Sequence, residues 1–382
     1  MELPAPAARA LQRLREKNFD KWLPGYLRHV AGERRRAPFV GHRHVLFAFC
    51  DHYEPRWKAP TPELARERVQ RWTEGYPKLA QGFRDADGRT PRHSFFFPGE
   101  EYAPEYLAGL ADLARAGLGE VELHLHHDND TPEGFRREVT RYLQLYAEHG
   151  HLSRQGDRLR YAFIHGNWCL ANARSDGRWC GIDAELPLLF ETGCYADFTF
   201  PAVPDESQPR VVNRIYWPDG DLARRRAYDP VGGPGAAVRA RVGQTFGDRV
   251  LIIEGPLALE LRPKKRFVRI ENADVTGNNP ATPERVDSWI SQNIHVEGRP
   301  EWVFVKVHTH GTQEAHADAL LGAGARRMHE ALARYNDGKR WSLHYVTARE
   351  MYNVAQAAMA GKTGNPADYF DFELQPPPIA RR

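Results

Sequence analysis

Long apolar runs are missing from this 382-residue chain. No stretch approaches the ~20 consecutive apolar residues of a membrane-spanning helix, and Met1 to Arg36 is charged throughout, without the apolar core of a secretory signal. Cysteine is scarce: Cys50, Cys169, Cys180 and Cys194 show no C-x-x-C spacing. That argues against a disulfide-stapled secreted domain and leaves buried, reduced thiols as the expectation, with zinc ligation by cysteine the alternative. These absences together predict a cytoplasmic protein. An excess of charge of one sign is missing too, since 53 basic and 50 acidic residues leave a net +3. No basic stretch carries the interleaved aromatics of a nucleic-acid surface, so no nucleic-acid partner is expected.

A hydrophobic content of 41% with 11% aromatics is enough to pack a core, in one large domain or two ordinary ones. Basic residues cluster locally at Arg34-Arg35-Arg36, Arg224-Arg225-Arg226 and Pro263-Lys264-Lys265-Arg266. The plain reading of each is a solvated face; the other is contact with phosphate or a membrane surface. No internal repeat is visible.

Four short apolar, strand-like runs each end in a polar cluster. His44-Val-Leu-Phe-Ala-Phe-Cys50 leads into Asp51-His52-Tyr53-Glu54, and Glu120-Val-Glu-Leu-His-Leu125 into His126-His127-Asp128-Asn129-Asp130. Arg160-Tyr-Ala-Phe-Ile164 leads into His165-Gly166-Asn167-Trp168, and Trp302-Val-Phe-Val-Lys-Val307 into His308-Thr309-His310. Ligands and bases gathered at strand ends, with helical stretches between, are how a (β/α) barrel builds an active site at one rim.

The alternation predicts three parts. Residues 1–37 form a helical arm, helical in composition over 7–31, packed on the domain or lying on a membrane surface. Residues 38–360 form the α/β domain, and 361–382 a tail, disordered or lightly tethered around Leu374-Gln-Pro-Pro-Pro378. Helices are expected from Glu63 to Ala80, Ala103 to Ala116, Thr131 to His149, over 181–192, from Thr282 to Gln292 and over 315–336. Thr131-Pro-Glu133 and Thr282-Pro-Glu284 are helix starts, and Thr347-Ala-Arg-Glu350 fits a capping box. Residues 201–248, rich in Pro, Gly and Arg and containing Gly232-Gly-Pro-Gly235, read as a long insertion forming a surface lobe or lid.

Each cluster also has a bland reading. Asp51-His52 can be a capping aspartate beside a surface histidine. His124 and His126 share a face of a strand, while a helical turn would instead bring His124 and Asp128 together; either supplies two ligands for zinc or a similar ion, against a solvated polar turn. His165-Gly-Asn-Trp168 offers hydroxyl-binding groups and an indole for a sugar ring, against a turn glycine and a core tryptophan. His308 or His310 suits proton transfer, because histidine titrates near neutrality.

The order and spacing of these clusters resemble the polysaccharide deacetylases of the NodB-homology type over roughly residues 40–360. The likeness includes the closing segment Tyr345-Val-Thr-Ala-Arg-Glu-Met351 and is closer still to divergent members encoded with cell-surface polysaccharide assembly genes. The resemblance implies an incomplete or distorted (β/α) barrel that removes acetyl groups from N-acetylated sugars with a divalent metal, zinc being the expectation. Phe49-Cys50-Asp51-His52 stands where the family has Thr-Phe-Asp-Asp, which makes Asp51 the base and His52 a ligand. Glu120-Val-Glu-Leu-His124 matches the start of its second motif, which makes His124 the first ligand and Asp128 the second, with His126 or Asp51 an alternative ligand. Asp197, after Gly193-Cys-Tyr-Ala, lies where the family often has an acidic partner, and His308 resembles its late general acid. The family's Arg-Pro-Pro-Tyr motif is replaced by His165-Gly166-Asn167-Trp168.

The expected function is therefore metal-dependent hydrolysis of an acetamido or ester group on a sugar, with Asp51 and His308 catalytic. His52, His124, His126 and Asp128 would be ligands, and His165, Asn167, Trp168, Asp197 and His310 would face the substrate. A cytoplasmic site favours a nucleotide- or lipid-linked precursor, and the basic arm offers peripheral membrane contact. Two alternatives stay open. One is a glycosidase using two of Asp51, Glu54, Asp197 and Glu254. The other is a non-catalytic sugar-binding or scaffold protein of polysaccharide assembly.

Overall fold

A computed structural model describes residues 12, 15–229, 237–262 and 267–381. Gly232-Gly-Pro-Gly235, Pro263-Lys264-Lys265-Arg266 and the start of the expected arm helix lie outside the described residues.

The arm contributes α1 (Phe19–Arg35), followed by β1 (Arg43–His52), α2 (Pro62–Ala80), β2 (His93–Pro98), α3 (Pro104–Arg115), β3 (Gly119–Leu125) and α4 (Pro132–Glu148). Next come β4 (Ser153–Gln155), β5 (Arg158–His165), α5 (Glu185–Thr192), β6 (Cys194–Asp197), β7 (Ile215–Pro218), β8 (Ala237–Arg239) and β9 (Leu251–Ile253). A hairpin of β10 (Ala258–Arg262) and β11 (Phe267–Glu271) precedes α6 (Pro283–Ser291), β12 (Trp302–Thr309), α7 (Glu314–Leu320), α8 (Ala323–Ala333), β13 (Trp341–Val346) and α9 (Ala348–Met359).

The result is a mixed α/β fold with a largely parallel central sheet and, among the described residues, nine α-helices. The sheet runs β12-β1-β2-β3-β5-β6-β9-β7-β8, with only β7 antiparallel to its neighbours on that path. β1 is its pivot. It pairs with β12 from His44 opposite Trp302 to Asp51 opposite Thr309, while its other edge is shared between β13 and β2. Val45, Phe47 and Phe49 face the helices with Trp72 and Leu79, and Leu46, Ala48 and Cys50 face the opposite core with Phe304 and Val346. A strand buried on both faces needs such an unbroken apolar run.

Three helices begin at Thr-Pro pairs, with Thr61, Thr131 and Thr282 each accepting a backbone hydrogen bond in the first turn. Proline suits that turn because its missing N–H would find no intrahelical partner there. The expected capping box is present, Thr347 and Glu350 bonding each other's backbone.

Three expectations need correction. The helix expected over 315–336 breaks at Gly322 into α7 and α8, where a Cβ would stand 2.5 Å from the Asp318 carbonyl oxygen. The 201–248 segment is not simply a surface lobe, because Ile215-Tyr-Trp-Pro218 enters the central sheet fully buried. The tail is pinned: Arg349 donates to the Phe370 and Leu374 carbonyls, as does Asn353, and Leu374 is buried.

Two residues of the Arg224-Arg225-Arg226 run are bonded within the fold. Arg225 donates to the carbonyls of Asn172 and Arg174, and Arg226 to those of Glu206 and Gln208. The arm packs through Trp22 and Tyr26 onto Val203, Val212 and Leu257. No described helix is long and apolar enough to cross a membrane, and all four cysteines are buried and unpaired.

Glu350 gives the fold a pH dependence. Burial alone would raise its pKa, but Arg89, Arg92 and Arg349 outweigh that and hold it down at about 2. A carboxylate depressed in the folded state contributes stability that is present above its unfolded value of 4.5 and is lost as pH falls toward 2. Acid denaturation followed by circular dichroism should therefore steepen between those limits, and Glu350→Gln should flatten that limb.

Candidate metal centre

β1 and β3 end on either side of β2, and β12 ends beside β1, so three of the four polar clusters meet at one end of the sheet. Strand alternation sends His52 to the inner face, opposite to its neighbour Asp51. Around His52 stand His310, His124 and His308, with ring centroids 4.6, 4.8 and 6.2 Å away. Glu54, just past the strand, reaches into this group. Its Oε1 lies 3.2 Å from His124 Nε2, 3.6 Å from His126 Nε2 and 3.9 Å from His310 Nε2. Two triads result, His52–Glu54–His310 and Glu54–His124–His126, each with donor atoms within 4.8 Å of one another.

The state of each donor suits a cation. His52 is fully buried, and neither ring nitrogen has a hydrogen-bond partner among the described residues. Burial, then the rings of His310, His124 and His308, push its pKa well below the usual imidazole range and leave its lone pair available. An imidazole buried with both nitrogens unsatisfied carries a cost that a bound ion would remove. In His124, Nδ1 bonds the Ile164 carbonyl at 2.9 Å, which fixes the tautomer and turns a bare Nε2 toward Glu54. Burial lowers this ring to about 3. His126 is held by Glu100, whose Oε1 lies 2.6 Å from Nδ1. A carboxylate behind a ligating imidazole is the usual support of such sites. Gly166 makes this possible, since a Cβ there would stand 2.3 Å from the His126 ring.

Several expected residues are elsewhere. Asp51 faces the helices, where its Oδ2 accepts from His93 at 3.0 Å and its Oδ1 from the Gly311 amide at 2.6 Å. Both oxygens are committed, so Asp51 positions the 310–312 turn and is not placed as a base. The helical turn after β3 does not form, and Asp128 instead accepts from the Trp179 amide. His165 is fully buried beside His127, with ring centroids 4.6 Å apart, and cannot meet a substrate. Asp197 is buried and bonded to Thr199; burial raises it to about 7. Asn167 meets His165 through its backbone amide. Glu54, which the sequence offered only as a glycosidase carboxylate, is the member common to both triads.

Beside the donors lies a cleft of about 800 Å³ lined by Trp168, His308, His310, His316, Asp274 and Arg174, with Arg15 and Asn18 contributed by the arm. His308 is nearly buried, and burial with Lys306 and His310 holds it well below the usual range, so its ring is neutral at rest. Of the four carboxylates open to a glycosidase, only Glu54 belongs to this group: Asp197 and Glu254 are buried near Lys306, and Asp51 points away. Comparison with family models, with curated proteins and with solved structures finds no match.

Proposed function

We propose that this chain is a metal-dependent hydrolase that removes an acetyl group from an acetamido or ester substituent of a sugar, on an incomplete (β/α) barrel. The observation that carries the reading is the group of His52, Glu54, His124, His126 and His310 beside a cleft walled by an indole. The barrel is supported by the close approach of the segment after β9 to β12, where a Cβ on Gly255 would stand 2.4 Å from the Lys306 carbonyl oxygen.

Neutral imidazoles with one carboxylate suit zinc or a similar divalent ion. Such an ion supplies Lewis acidity and a water acidic near neutral pH. The protein's own groups do the rest. Trp168 stacks on the sugar face. His308, neutral at rest, takes the proton of the attacking water and returns it to the departing nitrogen as the carbon–nitrogen bond breaks, giving acetate and the free amine. Arg15, exposed at the rim, suits a phosphate of a nucleotide- or lipid-linked precursor.

Acetate release from N-acetylated sugars and their nucleotide-linked forms tests this reading. Release by zinc-loaded protein, lost on chelation and in His308→Ala, is expected. Tight binding of the same sugars without release would overturn it in favour of a sugar-binding scaffold.

A further inference from the structure

A second group of donors lies behind the first. His127 follows β3, His165 ends β5, Cys180 closes the loop after it, and Glu185 opens α5. Their donor atoms lie within 4.8 Å of one another. Glu185 Oε1 is 3.0 Å from His127 Nε2 and 3.7 Å from His165 Nε2, and the Cys180 thiol reaches Glu185 Oε2 at 3.6 Å. Zinc bonds of ~2.0–2.3 Å imply donor separations of roughly 3.3–3.8 Å at the tetrahedral angle. The observed spacings fall close to that range.

Burial distinguishes this group from a polar turn. His165, Cys180 and Glu185 are fully buried, and Glu185 has no lysine or arginine partner among the described residues. His165 Nε2, aimed at Glu185, has no hydrogen-bond partner among the described residues. Glu185 is bonded by His127 and by the Ala171 amide at 2.7 Å, so the uncompensated group is His165 Nε2, fully buried and facing that carboxylate at 3.7 Å. Asp130 Oδ2 stands 3.4 Å behind His127 Nδ1, the place of the outer carboxylate in a carboxylate–histidine–metal relay.

We infer that His127, His165, Cys180 and Glu185 form a second, closed divalent-metal site of the zinc type, structural in role. Four protein donors complete a tetrahedral shell and leave no position for a water. Binding releases to solvent the Cys180 thiol proton and the Nε2 proton that His127 donates to Glu185, and moves the His165 ring proton to Nδ1, which gives up its 3.2 Å contact from the Asn167 amide. The ion would tie residues 166–184, which carry Trp168, to the ends of β3 and β5. The inference does not depend on the hydrolase reading.

The two sites differ in having a thiolate, so cobalt distinguishes them. Metal-stripped full-length protein titrated with Co(II) should bind two equivalents and show a thiolate-to-cobalt charge-transfer band. His124→Ala should keep that band and bind the other equivalent more weakly, and Cys180→Ser should lose the band and keep one equivalent. No such band in the wild-type protein, or an unchanged band in Cys180→Ser, would overturn the inference. Should Cys180→Ser fail to fold, Cys50→Ser, Cys169→Ser and Cys194→Ser, each retaining the band, identify Cys180; loss of the band in a folded one of these would overturn the inference.

Discussion

Replacing His124 by alanine should weaken metal binding at the cleft-side centre, leaving only the His52–Glu54–His310 triad, and lower turnover by about a thousandfold. His124 is the ring with the least freedom to be substituted: the Ile164 carbonyl holds its Nδ1, and its Nε2 is 3.2 Å from Glu54. Metal catalysis contributes several kcal/mol to hydrolysis, and each 1.36 kcal/mol is a factor of ten in rate. Glu54→Gln should act in the same direction, because it takes the charge from the one carboxylate shared by both triads. Elemental analysis and acetate release on each variant give the check. Full metal content with unchanged turnover in His124→Ala would place the centre elsewhere.

The largest effect on stability is expected at Arg349. Its guanidinium is buried, donates to Glu120 at 2.9 and 3.0 Å, and holds the tail through the carbonyls of Phe370 and Leu374. Among the described residues, Arg349→Met leaves the buried Glu120 carboxylate with only Thr347 and a 3.8 Å contact to Arg92. Breaking a buried pair by removing one partner costs about 3–5 kcal/mol. Urea denaturation should show a loss of that size, and limited proteolysis should cut the loosened tail early. The Glu120→Leu/Arg349→Met double variant should recover part of the loss, since neither charge is then stranded. A single variant within about 0.5 kcal/mol of wild type would show that the pair contributes little.

The strands and most helix starts were legible because their signals are local: apolar runs bounded by polar clusters, and threonine–proline pairs. The same runs also predicted that His52, His124, His126 and His310 would lie at strand ends. What failed was direction. The expectation for Asp51 needed the strand to stop at Cys50, yet β1 continues through His52, and alternation then turns the two neighbours apart. The expectation for Asp128 needed a helical turn; the chain instead passes through Asn129 at φ 50° and carries Asp128 toward Trp179. The grouping of His127 and His165 with Cys180 and Glu185 had no local signal, because it depends on which strands lie side by side. Ile215-Tyr-Trp-Pro218 was hidden by its length, four residues among prolines and glycines.

The donors of the cleft-side centre stand on or next to β1 and β3, each paired on both edges, and β12, paired with β1, whereas the cleft walls are assembled from pieces distant in sequence: the arm near Arg15, the 201–206 loop and the 272–276 turn. The two parts can therefore diverge at different rates. A descendant of this chain could exchange the walls, and with them the molecule admitted, while leaving the reacting end untouched.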